Sequence, residues 1–267
     1  MTSIHEPLKP HDDLYLRTRE GEVHVLHGGS GEPVLYLHGI GEAGYWNSFH
    51  EALNRSFELY APDHPGFGFT DVMDDLDHID DLVYHTLDLL DHLGLQRNVH
   101  LVGHSFGGWL AAELAVHSPD RFASLVLAAP FGLRIAGSLP TDIFLMTDKE
   151  RARVLVHNPD LVKELDLTNT HVQYQNYKDL SGLARFAWVP FFNDPKLERR
   201  LYRVTARTLV LAAEHDAVLP RVHCERYAAA ISGAELKVIK NAGHALDDEA
   251  PEALSTEVIK FLSEGNR

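Results

Sequence analysis

Cysteine is nearly absent from this chain. Cys224 is the only one in 267 residues, so no intramolecular disulfide can form. A lone thiol suits a reducing compartment. Cys224 itself reads as a small, partly buried helix residue rather than a reactive group. Basic residues are also few: Lys and Arg number 24 against 39 Asp and Glu, a formal net charge of −15. A surface of that sign disfavours nucleic acid and anionic membranes as partners. No apolar run approaches the roughly 18 residues that span a bilayer, and residues 1–10 lack the apolar core of a secretion signal. A soluble, cytoplasmic protein is expected. Metal signatures are missing too. None of the 18 histidines lies in H-E-x-x-H or in a Cys/His set with zinc spacing. The acidic run 71–81 offers at most a loose cation site. No P-loop occurs, and no metal or nucleotide cofactor is expected.

What is present is a long chain with an α/β rhythm. Hydrophobic residues make up 45% of it, enough for a sizeable core. Strand-like runs fall near 14–17, 22–26, 34–37, 57–61, 99–102, 124–128, 208–212 and 236–239. Helical patterns separate most of the later ones. Ile79, Leu82, Val83, Thr86, Leu87, Leu90 and Leu93 form one such stripe, ended by Gly94. Pro251 opens a closing helix. The first two runs are short and tightly joined, which predicts an antiparallel hairpin leading into a parallel set.

One motif carries chemistry. The apolar run Asn98-Val99-His100-Leu101-Val102 enters Gly103-His104-Ser105-Phe106-Gly107-Gly108, and a helical run from Trp109 to about His117 leaves it. This is G-x-S-x-G between a strand and a helix, the nucleophile-elbow pattern. The tight turn would expose the Ser105 hydroxyl, and the helix N-terminus would favour negative charge beside it.

Serine is a weak nucleophile without a base and an orienting acid. The strand-like run ending at Ala213 is followed by Glu214-His215-Asp216, and the run ending at Lys240 by Asn241-Ala242-Gly243-His244. Carboxyl ends of parallel strands line one crevice. Ser105, Asp216 and His244 can therefore converge, in the order Ser, Asp, His. Glu214, Asp247 and Asp248 are competing carboxylates nearby.

With these pieces in view, the chain resembles serine-nucleophile α/β-hydrolases of the esterase-like superfamily over nearly its whole length. The matching segments are Leu37-His38-Gly39-Ile40-Gly41, Asp63-His64-Pro65-Gly66-Phe67-Gly68, the elbow, Glu214-His215-Asp216 and Ala242-Gly243-His244. The resemblance implies an oxyanion hole from the backbone N–H groups of Ile40 and Phe106, with His38 structural. It implies a mostly parallel eight-stranded sheet with helices on both faces and a helical cap after the sixth strand. The expected division is a core of 1–132 and 205–267 and a cap of 133–204. Dehalogenases and epoxide hydrolases of this fold carry Asp where Ser105 stands. C–C hydrolases of ring-cleavage products often carry Trp where Ala245 stands. The sixth strand ends in Leu127-Ala128-Ala129-Pro130-Phe131, without a carboxylate, which favours Asp216 as the acid.

Between Phe131 and Val204 the strand–helix rhythm stops and aromatics accumulate. Phe186, Trp188, Phe191 and Phe192 are expected to wall an apolar substrate pocket. The function expected is a carboxylesterase for small to medium apolar esters, with a small-molecule substrate as its only implied partner. C–C hydrolysis of ring-cleavage products and a slow-turnover ligand receptor on the same scaffold are the alternatives.

Overall fold

A computed structural model of the protein describes residues 11–164 and 168–264. Eight strands form one sheet: β1 (Asp12–Arg17), β2 (Glu22–Gly29), β3 (Pro33–Leu37), β4 (Glu58–Pro62), β5 (Val99–His104), β6 (Phe122–Ala128), β7 (Arg207–Ala213) and β8 (Glu235–Ile239). Their order is β1-β2-β4-β3-β5-β6-β7-β8. β2 is antiparallel to both β1 and β4, and every other pairing is parallel. The early hairpin and the parallel set are both as the sequence predicts. β2 runs three residues longer than its apolar pattern, because Gly28 and Gly29 still pair with Leu59 and Glu58 of β4. Pairing there overrides the weak strand preference of glycine.

Burial follows position in the sheet. All six residues of central β5 are buried, as a strand covered on both faces requires. Edge strand β1 has no buried residue. Helices cover both faces. Those of the core are α1 (Ser48–Asn54), α2 (Ile79–His92), α3 (Ser105–His117), α7 (Val222–Ala230), α8 (Leu246–Glu249) and α9 (Pro251–Glu264). α2 buries Ile79, Leu82, Val83, Thr86 and Leu90 of the expected stripe and Leu89 besides, while Leu87 and Leu93 are partly buried. α3 begins at Ser105, a full turn before the expected Trp109. Gly107 and Gly108 weaken the helical pattern locally, yet the turn needs them for close packing.

Between β6 and β7 the chain leaves the sheet. This insertion carries α4 (Asp148–Leu155), α5 (Pro159–Glu164), α6 (Thr170–Ala187) and two short 3-10 turns, Ile143–Leu145 and Glu198–Arg203. α4 begins with a reciprocal cap between Thr147 and Glu150. α6 lies against the loop that follows β4: Lys178 Nζ donates to Gly68 O at 2.7 Å, and Arg185 Nε to Leu76 O at 2.5 Å. Among the described residues, no helix is long and apolar enough to cross a membrane.

Candidate active site

The elbow is a sharp, tightly packed turn. Ser105 has φ 55°, in the left-handed region that non-glycine residues rarely occupy. Gly107 permits this turn. A Cβ there would sit 2.0 Å from Leu37 O, and one at Gly103 would sit 2.3 Å from Gly107 O. Ser105 is thereby held where β5 meets α3.

Three side chains from three strand ends meet at this point. Ser105 Oγ lies 2.8 Å from His244 Nε2, and His244 Nδ1 lies 2.8 Å from Asp216 Oδ2. A carboxylate only accepts, so Nδ1 carries the hydrogen and Nε2 presents its lone pair to the serine hydroxyl. Asp216 Oδ1 accepts from Val218 N at 2.9 Å and Leu219 N at 2.8 Å. Burial would raise the Asp216 pKa. His244 beside it and these amides outweigh that, and the carboxyl sits below its ordinary value. Two of the three competing carboxylates are engaged elsewhere. Glu214 bonds Lys240 Nζ and Asn241 N, and Asp247 takes Asn47 Nδ2. The loop carrying His244 is also tied to the insertion, since Ala245 N donates to Leu155 O at 2.9 Å.

The loop after β3 lies against the serine. Gly39 N donates to Glu42 Oε2 at 2.8 Å, and Gly41 N donates to Asp179 Oδ2 at 3.1 Å. Ile40 N–H lies between these two anchored amides, and among the described residues it has no acceptor. Phe106 N–H belongs to the first turn of α3, where helical bonding leaves donors over. His38 is buried and structural in its contacts: its Nε2 accepts from His64 N at 3.0 Å. The letters of a dinucleotide fingerprint, G-x-G-x-x-G, do occur at 39–44. The fingerprint needs a helix opening on free glycine amides. Here α1 starts only at Ser48, and the amides of Gly39, Gly41 and Gly44 donate to Glu42, Asp179 and Asp63. A pyrophosphate would meet carboxylates.

A second buried chain reaches His244 from behind. His104 Nδ1 lies 2.5 Å from Glu42 Oε1, and its Nε2 lies 2.8 Å from the His244 carbonyl. Both partners are acceptors, so both ring nitrogens carry hydrogen and His104 is an imidazolium. Burial works against that charge. Glu42 more than offsets it and lifts the His104 pKa to about 9. Burial likewise opposes the Glu42 charge, but His104, Gly39 N and the Tyr36 hydroxyl bring it down to about 2. Asp247 sits beside this pair. Burial, Glu42 and Asp248 push its pKa well above its ordinary value. Glu42, His104 and Asp247 place potential metal donors within 4.8 Å of one another. Their distance apart in sequence hid them from any spacing rule. Glu42 and His104 already bond each other, so the trio fits protons better than an ion.

Comparison with known proteins decides the family. The profile of the alpha/beta hydrolase family matches residues 25–257. The chain belongs to that family. A 2-hydroxy-6-oxononadienedioate/2-hydroxy-6-oxononatrienedioate hydrolase of Pseudomonas putida is 29% identical, over 93% of this chain and 95% of its own. A 2-hydroxy-6-oxo-6-phenylhexa-2,4-dienoate hydrolase of Burkholderia cepacia is 26% identical, over 91% and 92%. Among solved structures, a meta-cleavage product hydrolase from Pseudomonas fluorescens superposes with a TM-score of 0.78 at 23% identity, over 91% of this chain and 94% of the other.

In this alpha/beta hydrolase a cavity of about 180 Å³ opens at the serine. Ile40, Ser105 and His244 line it from the core, and Arg151, Ala152, Leu155, Val156, Val172 and Asn176 from the insertion. None of the four expected aromatics is in its wall. Phe186 is buried and stacks on the Phe106 ring. Phe192 is fully buried between Phe131 and Phe144. Phe191 packs edge-on against Phe192 and Phe144. Trp188 lies against Phe144 and is 50% exposed. Large flat rings gain most where they can stack, and Phe186 and Phe192 join the insertion to the core through Phe106 and Phe131. The wall falls to α4 and α6, whose polar sequence gave no sign of it.

Proposed function

We propose that the protein is a serine hydrolase that cleaves a carbon–carbon bond beside a ketone, in compounds of the kind released by aromatic ring cleavage. The observation that carries the hydrolytic part is the hydrogen-bonded chain Ser105–His244–Asp216 at the edge of a cavity. The substrate class is supported by the two relatives above, matched end to end and named for 2-hydroxy-6-oxo-dienoates. In this reading His244 takes the hydroxyl proton as Ser105 Oγ adds to the ketone. Ile40 and Phe106 N–H groups receive the oxyanion. Collapse breaks the C–C bond, and the leaving carbon, stabilised by conjugation, takes the proton from His244. Water, with His244 as base, then releases the acyl group from Ser105. Asp216 orients the imidazole and stabilises its charged form. The insertion serves as a cap that restricts water, and the single Cys224 suits the cytoplasm.

A specific observation favours a second reading, a carboxylesterase for neutral esters. Arg151 is the one Arg or Lys lining the cavity among the described residues. Its guanidinium is already engaged by Ile143 O, Met146 O and Asp148. A substrate carboxylate would compete with Asp148 for it. One experiment separates the readings. A ring-cleavage dienoate and a p-nitrophenyl ester series are assayed side by side with wild type and Ser105→Ala. Higher kcat/KM on the dienoate, lost in the variant, supports C–C hydrolysis. Ester turnover with an inert dienoate supports the esterase. Turnover of neither leaves the scaffold as a ligand receptor.

A further inference from the structure

The insertion reaches past the cavity into the machinery beneath it. Asp179 is on α6, 138 residues from Gly41 in sequence, yet its carboxylate accepts from Gly41 N at 3.1 Å. Its other oxygen accepts from Gly68 N at the longer distance of 3.5 Å. Asp179 is only 4% exposed. Burial raises its pKa to about 6, against the pull of nearby His38 and the two amides. Burying such a group costs free energy, so its bonds need a purpose that bulk packing does not supply.

Its place in the loop supplies one. The peptide N–H of Ile40 is flanked by two others, and each is held by a buried carboxylate. Glu42 holds Gly39 N from the core side, and Asp179 holds Gly41 N from the insertion side. With both neighbours fixed, the peptide between them has little freedom to rotate, and Ile40 N–H keeps its aim without an acceptor of its own. Gly41 has φ 82° and no side chain of its own, so its peptide groups carry the restraint at that point: the carbonyl accepts from the Tyr45 hydroxyl at 2.9 Å, and Asp179 holds the N–H that adjoins Ile40.

We infer that Asp179 is a positioning residue for the oxyanion hole, through which the seating of the insertion completes the core's catalytic site. This rests on the Ser105 reading and on Ile40 as an oxyanion donor. The role is selective for the transition state. An oxyanion donor binds charge that is absent from the bound substrate. A loosened Ile40 N–H therefore lowers kcat and leaves KM nearly unchanged. A residue that only holds the insertion down would act through KM and stability.

The test uses Asp179→Ala, Asp179→Asn and Asp179→Leu in the full chain, with Ser105→Ala alongside. Asparagine keeps an acceptor for Gly41 N, whereas leucine fills the volume without one and guards against collapse of the alanine variant. Two readouts are taken: kcat and KM on whichever of the ester or dienoate the wild type turns over, and the rate of Ser105 labelling by a fluorophosphonate, followed by mass. Phosphonylation also builds charge on an oxygen in the hole. Alanine or leucine is expected to lower kcat and labelling rate together by about tenfold or more, within the 10²–10³ of losing a whole donor. Asparagine is expected to restore most of both. A folded alanine or leucine variant with normal kcat and labelling, or with its loss confined to KM, overturns the assignment. Asparagine as impaired as leucine overturns it too. Hydrolysis or labelling that survives Ser105→Ala would instead sink the underlying serine reading, which separates the two failures.

Discussion

The sheet core and the insertion use their apolar residues differently. In the core, the candidate catalytic groups sit at strand ends: Ser105 after β5, Asp216 after β7 and His244 after β8. The strand grid fixes those ends, so three loops far apart in sequence reach one point. The insertion has no grid. Its aromatics make the joint, with Phe186 on Phe106 and Phe192 on Phe131, while Leu155, Val156 and Val172 face the cavity. Thus the Ser105–His244–Asp216 chain belongs to the core, and the insertion gives the cavity an aliphatic side.

The largest expected effect breaks the core side outright. Ser105→Ala should fold normally and lose nearly all turnover, a fall of about 10⁶ for a nucleophile acting with its base as a unit. Labelling by a fluorophosphonate should disappear with it. An alanine variant that still turns over substrate would remove the elbow from the mechanism.

Asp216→Asn comes next, with kcat lowered about 10⁴ by analogy with other orienting acids. An amide can donate to Nδ1 and so favour the wrong tautomer of His244. Glu214→Gln is the control. Its carboxylate serves Lys240 and Asn241, so kcat should stay near normal. If the two variants exchange behaviours, the acid has been assigned to the wrong carboxylate.

The third expectation concerns stability, again in the core. Glu42 is depressed from 4.5 to about 2, so its contribution is present above 4.5 and lost as pH falls through 2. His104 is raised from 6.5 to about 9, so its contribution is present below 6.5 and lost as pH rises through 9. Both act fully between pH 4.5 and 6.5. Glu42→Gln breaks the buried pair at a cost of about 3 kcal/mol. Its Tm should fall most in that window and change less steeply on both flanks. A Tm–pH curve merely displaced downward, parallel to wild type, would show that this pair does not govern the pH response.

These cases also show how far the residues could be read in advance. The strands were legible because apolar runs with glycine punctuation have few alternatives. The meeting of Ser105, Asp216 and His244 was legible because each follows such a run. Glu42, His104 and Asp247 were not, although His104 adjoins Ser105. Their meeting depends on how β5, the loop after β3 and α8 pack, and no local pattern encodes that. Asp179 was hidden in the same way, as one polar residue on a polar helix. The aromatics were visible and misplaced, since sequence shows that a ring will be buried but not which side of the insertion buries it.

That misplacement gives the smallest and sharpest test of the two regions. Trp188 packs against Phe144, is half exposed and does not line the cavity. Trp188→Ala should therefore leave the acyl-chain preference unchanged, with some loss of Tm as its contact with Phe144 is lost. Leu155 is in the wall and presents carbon to the site. Truncating it to alanine makes room for at least one more methylene of substrate. A buried methylene is worth about 0.8 kcal/mol, or roughly fourfold in relative kcat/KM. Leu155→Ala should shift the chain-length optimum upward by about that factor per added carbon, with Ser105 labelling retained. The Leu155 backbone bond to Ala245 N survives the substitution, so the His244 loop should stay in place. A shift in the Trp188 variant with none in the Leu155 variant would return the pocket to the aromatic side of the insertion. It would also mean that the cap seats differently over the core when substrate is bound.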